Sequence, residues 1–142
     1  MFRHLYAKRI SMRGTILGFP ELDEFILTPI DDSGLQSPFA YLQSIEEEGV
    51  GFLVANPFTF YADYELELTV QDRQSIEAMS PEEVIVLAII RIEDPFHTST
   101  INLMAPLIVN SNTFVGTQIV SPADARYSTK MPLQPVVEEG KL

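Results

Sequence analysis

Between Phe25 and Val120 the chain is a succession of short apolar runs cut by turn clusters, and this spacing constrains the fold more than anything else in it. Residues 25–30 form an apolar run closed by Asp31-Asp32-Ser33-Gly34, a turn-forming cluster. Residues 39–45 and 50–55 flank Glu46-Glu47-Glu48-Gly49, which predicts a hairpin with a charged loop. Residues 64–70 alternate strictly: Tyr64, Leu66, Leu68 and Val70 share one face, and Glu65, Glu67 and Thr69 share the other. That is the pattern of a half-buried strand with an acidic wet face. The run 84–92 is continuous and β-branched, as expected for a strand buried on both faces. Residues 101–109 and 114–120 predict a further hairpin around Asn110-Ser111-Asn112-Thr113. Pro106 removes a ladder donor, which places its strand at an edge or a bulge. Helical signals are few. Residues 72–79 fit a short helix, and Ser80-Pro81-Glu82-Glu83 fits a capped helical turn. Many short strands with one or two helical turns predict an all-β domain, a small closed or partly open β-barrel.

The chain divides into a basic lead-in at residues 1–13, a body at 14–133 and a flexible tail at 134–142. The lead-in reads as a loose segment, an altered first strand or an artefact of the assigned start. Hydrophobic residues make up 46% of the 142, enough for a real core in one domain. No apolar run reaches the roughly 20 residues that a membrane-spanning helix needs. The basic start is followed by no apolar region with a small-residue cleavage site, so no signal peptide is expected. There is no cysteine, which excludes disulfides and thiolate-held zinc and suits a reducing cytoplasm.

The net charge is −11, unevenly placed. Four of the nine basic residues precede Gly14, so from Gly14 onward five basic residues face 20 acidic ones, a balance of −15. Such a body repels nucleic acid and attracts basic partners. Acidity also serves solubility alone in many proteins, and charge does not separate the two readings.

Motifs for chemistry are sparse. His4 and His97 lack metal-ligand spacing, and no phosphate-binding or calcium loop is present, so no metal or cofactor is expected. Asp94, His97 and Ser99 lie close enough to suggest a triad, but triads are normally assembled from separate segments. A hydrogen-bonded loop, with Thr98 or Ser99 satisfying backbone groups, is the plainer reading. The carboxylates at Asp31-Asp32 and at Glu46 to Glu48 sit in turn clusters, where they are solvated rather than poised as acids. What remains is Asn56-Pro57-Phe58-Thr59-Phe60-Tyr61-Ala62-Asp63-Tyr64, with four aromatics in seven residues ahead of an acidic alternating segment. These rings either cover the end of the core or form an interaction surface, with Phe58 and Tyr64 inward and Phe60 or Tyr61 outward.

Several segments, in order, carry a family resemblance: Leu17-Gly18-Phe19, Ser37-Pro38-Phe39, Asn56-Pro57 with Asp63-Tyr64, residues 83–92, Asn102-Leu103-Met104-Ala105-Pro106-Leu107-Ile108-Val109-Asn110, Gln118-Ile119-Val120 and Tyr127-Ser128-Thr129-Lys130. The set resembles the flagellar assembly factor FliW family over roughly residues 14–133. It departs in having only thirteen residues before Gly14 and in lacking the usual proline at Thr15-Ile16-Leu17-Gly18-Phe19. The resemblance implies a cytoplasmic, non-catalytic β-barrel that binds two proteins in turn: flagellin, and CsrA, a basic RNA-binding repressor of translation. It implies that CsrA is sequestered and then released as flagellin accumulates. Pattern then nominates Phe58, Phe60, Tyr61, Asp63, Glu65 and Glu67 for partner binding, the aromatics anchoring and the acids steering. Two rivals stand beside this reading: a flagellin-only chaperone, and an enzyme built on Asp94, His97 and Ser99. Pro106 and the glutamates of 64–70 look like guards against edge pairing, which predicts a monomer. Neither a membrane nor direct contact with nucleic acid is expected.

Overall fold

The computed structural model describes residues 2, 5–30, 37–120 and 126–133. The turn cluster at Asp31-Asp32-Ser33-Gly34, His4 and the tail at 134–142 lie outside the described residues. The fold is mostly antiparallel sheet with two short helices. Nine strands are described: β1 (Arg9–Ser11), β2 (Glu24–Pro29), β3 (Phe39–Ser44), β4 (Gly51–Ala55), β5 (Val84–Arg91), β6 (Thr100–Ile101), β7 (Leu107–Asn110), β8 (Gly116–Gln118) and β9 (Met131–Pro132). The helices are α1 (Pro57–Phe60) and α2 (Val70–Ser75). The main path runs β1-β2-β3-β4-β5-β6-β9, and β5 also pairs with β7, which pairs with β8. A single bridge between Ser11 and Val115 brings β1 back toward β8. No ladder joins the two strands, so the sheet is not closed.

Alternation on the inner strands sorts side chains into separate cores. Val54, Leu87, Leu107 and Val109 join Phe25, Leu27, Leu42 and Ile10 in the principal core. Their sequence neighbours Ala55 and Ala88 point the other way, into a second cluster with Tyr64, Ile101 and Leu103. Ile108 does likewise into a third with Ile76, Val115 and Ile119. The β5 run is therefore covered on both faces, as its composition predicts. The principal core also takes Phe2, Leu5, Ile10 and Met12, so the basic opening segment supplies apolar anchors as well as charge.

The β3–β4 hairpin forms as read, with Phe39 opposite Ala55. Other expectations are corrected. Residues 64–70 join no strand, and Val70 begins α2 instead. The capping box lies at Thr69 and Asp72, where each side chain bonds the other's backbone N–H. The helical turn after Ser80 forms as a single 3₁₀ turn, Pro81–Glu83, but Ser80 makes no side-chain cap bond. Glu83 instead accepts from the Met79 N–H at 3.1 Å, so its carboxylate holds the turn from outside. Residues 101–109 are two strands rather than one. Ile90 faces Ile101 and Leu87 faces Leu107, so the five residues 102–106 stand against Ala88 and Ile89. Asn102 makes this bulge, its Oδ1 accepting from the N–H groups of Met104 and Ala105. Pro106 is buried just ahead of β7, which is paired on both sides. It guards no edge, because its missing N–H falls before the ladder begins.

Candidate functional site

The aromatic segment after β4 is shaped by local capping. Asn56 is extended, and its Oδ1 accepts from the Phe58 N–H at 2.9 Å. Pro57 takes the first helical position, so the chain makes one turn and stops. That turn fixes which rings face out. Tyr64 is 5% exposed, and its hydroxyl donates to the Leu103 carbonyl at 2.8 Å. The Tyr127 ring meets it edge-on at 5.0 Å. Burial, and secondarily Tyr127, push the Tyr64 phenol well above its ordinary value. Phe58 lies on Tyr64 at 5.6 Å yet remains 42% exposed.

The inward and outward rings are thus partly reversed from expectation. Tyr64 is inward, but Phe58 is outward. Phe60 is half-buried against Phe39 at 5.6 Å. Tyr61 is half-buried too, its hydroxyl donating to the Pro132 carbonyl at 2.6 Å. The reversal follows from the single helical turn, which swings Phe60 and Tyr61 toward β3 and β9.

Asp63, Glu65 and Glu67 are exposed, as the alternation predicts. Glu65 takes an ion pair from Arg126 at 3.3 Å, and its N–H donates to the Tyr127 hydroxyl at 3.0 Å. Leu66 and Leu68 turn inward and pack beside Val84 and Val86 of β5. Together with Phe58 and Pro81 they line an apolar groove of about 470 Å³, with Arg73 at its side. Arg73 donates to the Leu68 carbonyl at 3.1 Å. A second depression, of about 700 Å³, runs past Glu67, Asp72, Ile119 and Val120. From Asn56 to Glu83 the chain carries seven acidic residues and one basic residue. Phe58, Asp63, Glu65 and Glu67 are therefore exposed, with Phe58 lining the first groove and Glu67 the second depression, while Phe60 and Tyr61 are half-buried. Sequence reasoning missed the groove. Its signal was the Leu66 and Leu68 alternation, which was read as a strand face already covered.

The rival cluster does not converge. His97 is exposed on a single 3₁₀ turn, Phe96–Thr98. Ser99 is 1% exposed, and its Oγ accepts from the Glu93 N–H at 2.9 Å. Thr98 donates to the Pro95 carbonyl at 2.6 Å. No hydrogen bond joins Asp94, His97 and Ser99 among the described residues, and the loop reading accounts for both hydroxyls. Among the described residues no group of three or more histidine and carboxylate side chains is placed to hold a metal. No helix among them is long and apolar enough to cross a membrane.

Comparison with known proteins gives a consistent result. The family described as FliW protein matches residues 5–133. The flagellar assembly factor FliW of Bacillus licheniformis is 38% identical over 124 residues, which is 87% of this chain and 84% of that protein. The one from Shouchella clausii is 36% identical over 132 residues, 93% and 88% of the two chains. The Bacillus subtilis protein is 36% identical over 124 residues, 87% and 84%. A crystal structure of the flagellar assembly factor FliW superposes with a TM-score of 0.80 at 28% identity, over 89% of this chain and 86% of that one.

Proposed function

This chain belongs to the FliW family, and from that premise we propose that it is a cytoplasmic, non-catalytic regulator that binds CsrA and flagellin in turn. A role in flagellar assembly comes with the family, whose named relatives are assembly factors. The two partners and the switch between them are the finer part of the reading. The observation that carries it is the exposure of Phe58, Asp63, Glu65 and Glu67 in one short segment whose Phe58, Leu66 and Leu68 line an apolar groove. A protein that grips RNA is basic where it grips. An acidic face rimming an apolar anchor offers such a protein long-range attraction and a short-range dry contact. The −15 body docked beside the RNA-binding surface then raises the cost of bringing in phosphate. Phe60 and Tyr61, being half-buried, support the face from behind by holding α1 against β3 and β9.

The test is co-elution on a sizing column with CsrA and with flagellin, each tried separately. Capture of both, with flagellin displacing CsrA, is the expected result. Capture of flagellin alone would leave a chaperone without the regulatory arm. Capture of neither would end the reading. If His97→Ala left both captures unchanged, the Asp94, His97 and Ser99 alternative would have no support.

A further inference from the structure

The segment bordering the apolar groove has a backbone that pairs with no strand among the described residues. Glu65, Glu67 and Thr69 are exposed while Leu66 and Leu68 are half-buried, which is the two-residue alternation of an extended chain. Its hydrogen bonds sort by side. The Glu65 N–H donates to the Tyr127 hydroxyl on one side. The Leu68 carbonyl accepts from Arg73 on the other. In an extended chain the N–H and C=O of one residue leave toward the same side, and those of its neighbours toward the opposite side. The N–H and C=O of Leu66 and the N–H of Leu68 therefore face the side of Arg73, which is the side of the groove. None of the three has a partner among the described residues.

We propose that Leu66 and Leu68 are a receiving edge on which an extended segment of a partner protein, alternating apolar and basic residues, adds itself as a strand. Pairing would place every second side chain of that segment in register with Leu66 and Leu68, over Val84 and Val86 in the groove. The intervening side chains would rise beside Glu65 and Glu67, where a lysine or arginine forms a cross-strand pair of opposite charge. The main-chain bonds supply affinity, and the apolar groove on one face with Glu65 and Glu67 on the other selects the alternating pattern. At about 470 Å³ the groove has the volume of an ordinary binding cleft. Glu65 and Glu67, exposed on the face away from the groove, fix the sign of the charge preferred there, while the groove itself is lined by apolar side chains and Arg73. This proposal rests on the reading of the chain as a partner-binding factor and states how one partner is held.

The experiment uses the whole protein and a synthetic peptide of about six residues, the length of an ordinary strand, alternating lysine and valine. Amide exchange by NMR is expected to slow at Leu66 and Leu68 by about tenfold at saturation, while Glu67, on the opposite side, is unmoved. Binding is expected to weaken about tenfold on going to about 0.5 M salt. A peptide of the same composition with lysines and valines in separate blocks is expected to bind about tenfold less tightly. Leu66→Pro, which deletes the N–H, is expected to lose more binding than Leu66→Ala, with thermal melting as the check that each is folded. The exchange measurement on the unaltered protein decides the matter should either variant unfold. No binding at millimolar peptide overturns the proposal. So does binding without slowing at Leu66 and Leu68, binding in which the peptide turns helical, or slowing caused by a second copy of the chain in the absence of peptide. Co-elution with CsrA and flagellin is run on the same preparation. Capture of those proteins with no response to the peptide removes the edge and leaves the regulatory reading intact. Response to the peptide without either capture does the reverse.

Discussion

Two neighbouring rings differ in burial, and the proposed function assigns one to stability and the other to recognition. Tyr64 and Phe58 are 5.6 Å apart, but one is buried with its hydroxyl bonded and the other is 42% exposed. Tyr64→Phe keeps the ring and leaves the Leu103 carbonyl without its donor, and the expected loss is about 1–2 kcal/mol in urea unfolding. Phe58→Ala removes a ring whose packing is one-sided, so stability falls by only about 1 kcal/mol. Capture of CsrA or flagellin, by contrast, is expected to weaken about tenfold or more. Equal effects of the two changes on stability and capture would show the division to be false. The phenol also sets a pH dependence. Burial, then Tyr127, raise the Tyr64 pKa above 10.0, and burial raises Tyr6 in the same direction. The neutral phenol belongs to the native state, while the unfolded phenol ionises normally. Its contribution is fully present below about pH 10 and is lost above it, with a slope of about 1.4 kcal/mol per pH unit for each such group. Urea midpoints taken from about pH 8 to about pH 11 are expected to fall at the alkaline end, and less steeply in Tyr64→Phe. An identical slope in the two proteins would mean that Tyr64 ionises as freely folded as unfolded.

At the scale of elements, hairpins were legible because turn chemistry and period 2 agree, as at Glu46-Glu47-Glu48-Gly49 between β3 and β4. Residues 64–69 were legible in burial but not in pairing, whereas Val70, which the alternation sets on the apolar face, is exposed at the start of α2. Alternation needs only a surface to lie on, and the outer face of β5 supplies one without a ladder. The helical turn at Pro81–Glu83 forms where the letters place it, directly ahead of β5, but its capping box does not form, whereas Thr69-Val70-Gln71-Asp72 makes those bonds with the shorter aspartate. Thr69→Ala is therefore expected to cost about 1 kcal/mol and to fray α2. Helical signal retained at Arg73 in exchange measurements on that variant would contradict the capping assignment. The seam between β1 and β8 was not legible at all, because it depends on a close approach. A Cβ on Gly116 would lie 2.7 Å from Met12 Sδ and 2.9 Å from the Ile108 carbonyl oxygen. Gly116→Ala is expected to destabilise by about 1–3 kcal/mol, since the carbonyl belongs to an inner strand and yields less readily than a side chain. A neutral Gly116→Ala would mean that the seam is looser than the geometry states.

Over the whole molecule, charge was the most legible property, since it is counted from the sequence without any geometry. The groove was not legible, because it lies between residues far apart in sequence: Leu66 and Leu68 on one side, Pro81 and Val84 on the other. The −15 balance from Gly14 onward also makes a claim about mechanism that can be separated from contact. If this body, docked on CsrA, repels RNA through its field, no surface need be shared. Two unit charges about 10 Å apart at an effective dielectric of about 40 repel by a little under about 1 kcal/mol. About five such pairs change RNA affinity by about three powers of ten. Screening then separates field from overlap. The Debye length is about 10 Å in 0.1 M salt and about 3 Å in 1 M, so a field acting across that gap fades while a steric block persists. The measurement is the ratio of RNA dissociation constants for CsrA with and without this protein, taken across a salt series in which the protein complex stays intact. The ratio is expected to shrink toward unity as salt rises, and Glu65→Lys with Glu67→Lys to shrink it further at low salt. A ratio indifferent to both salt and those charges would place RNA and this chain on one and the same surface of CsrA.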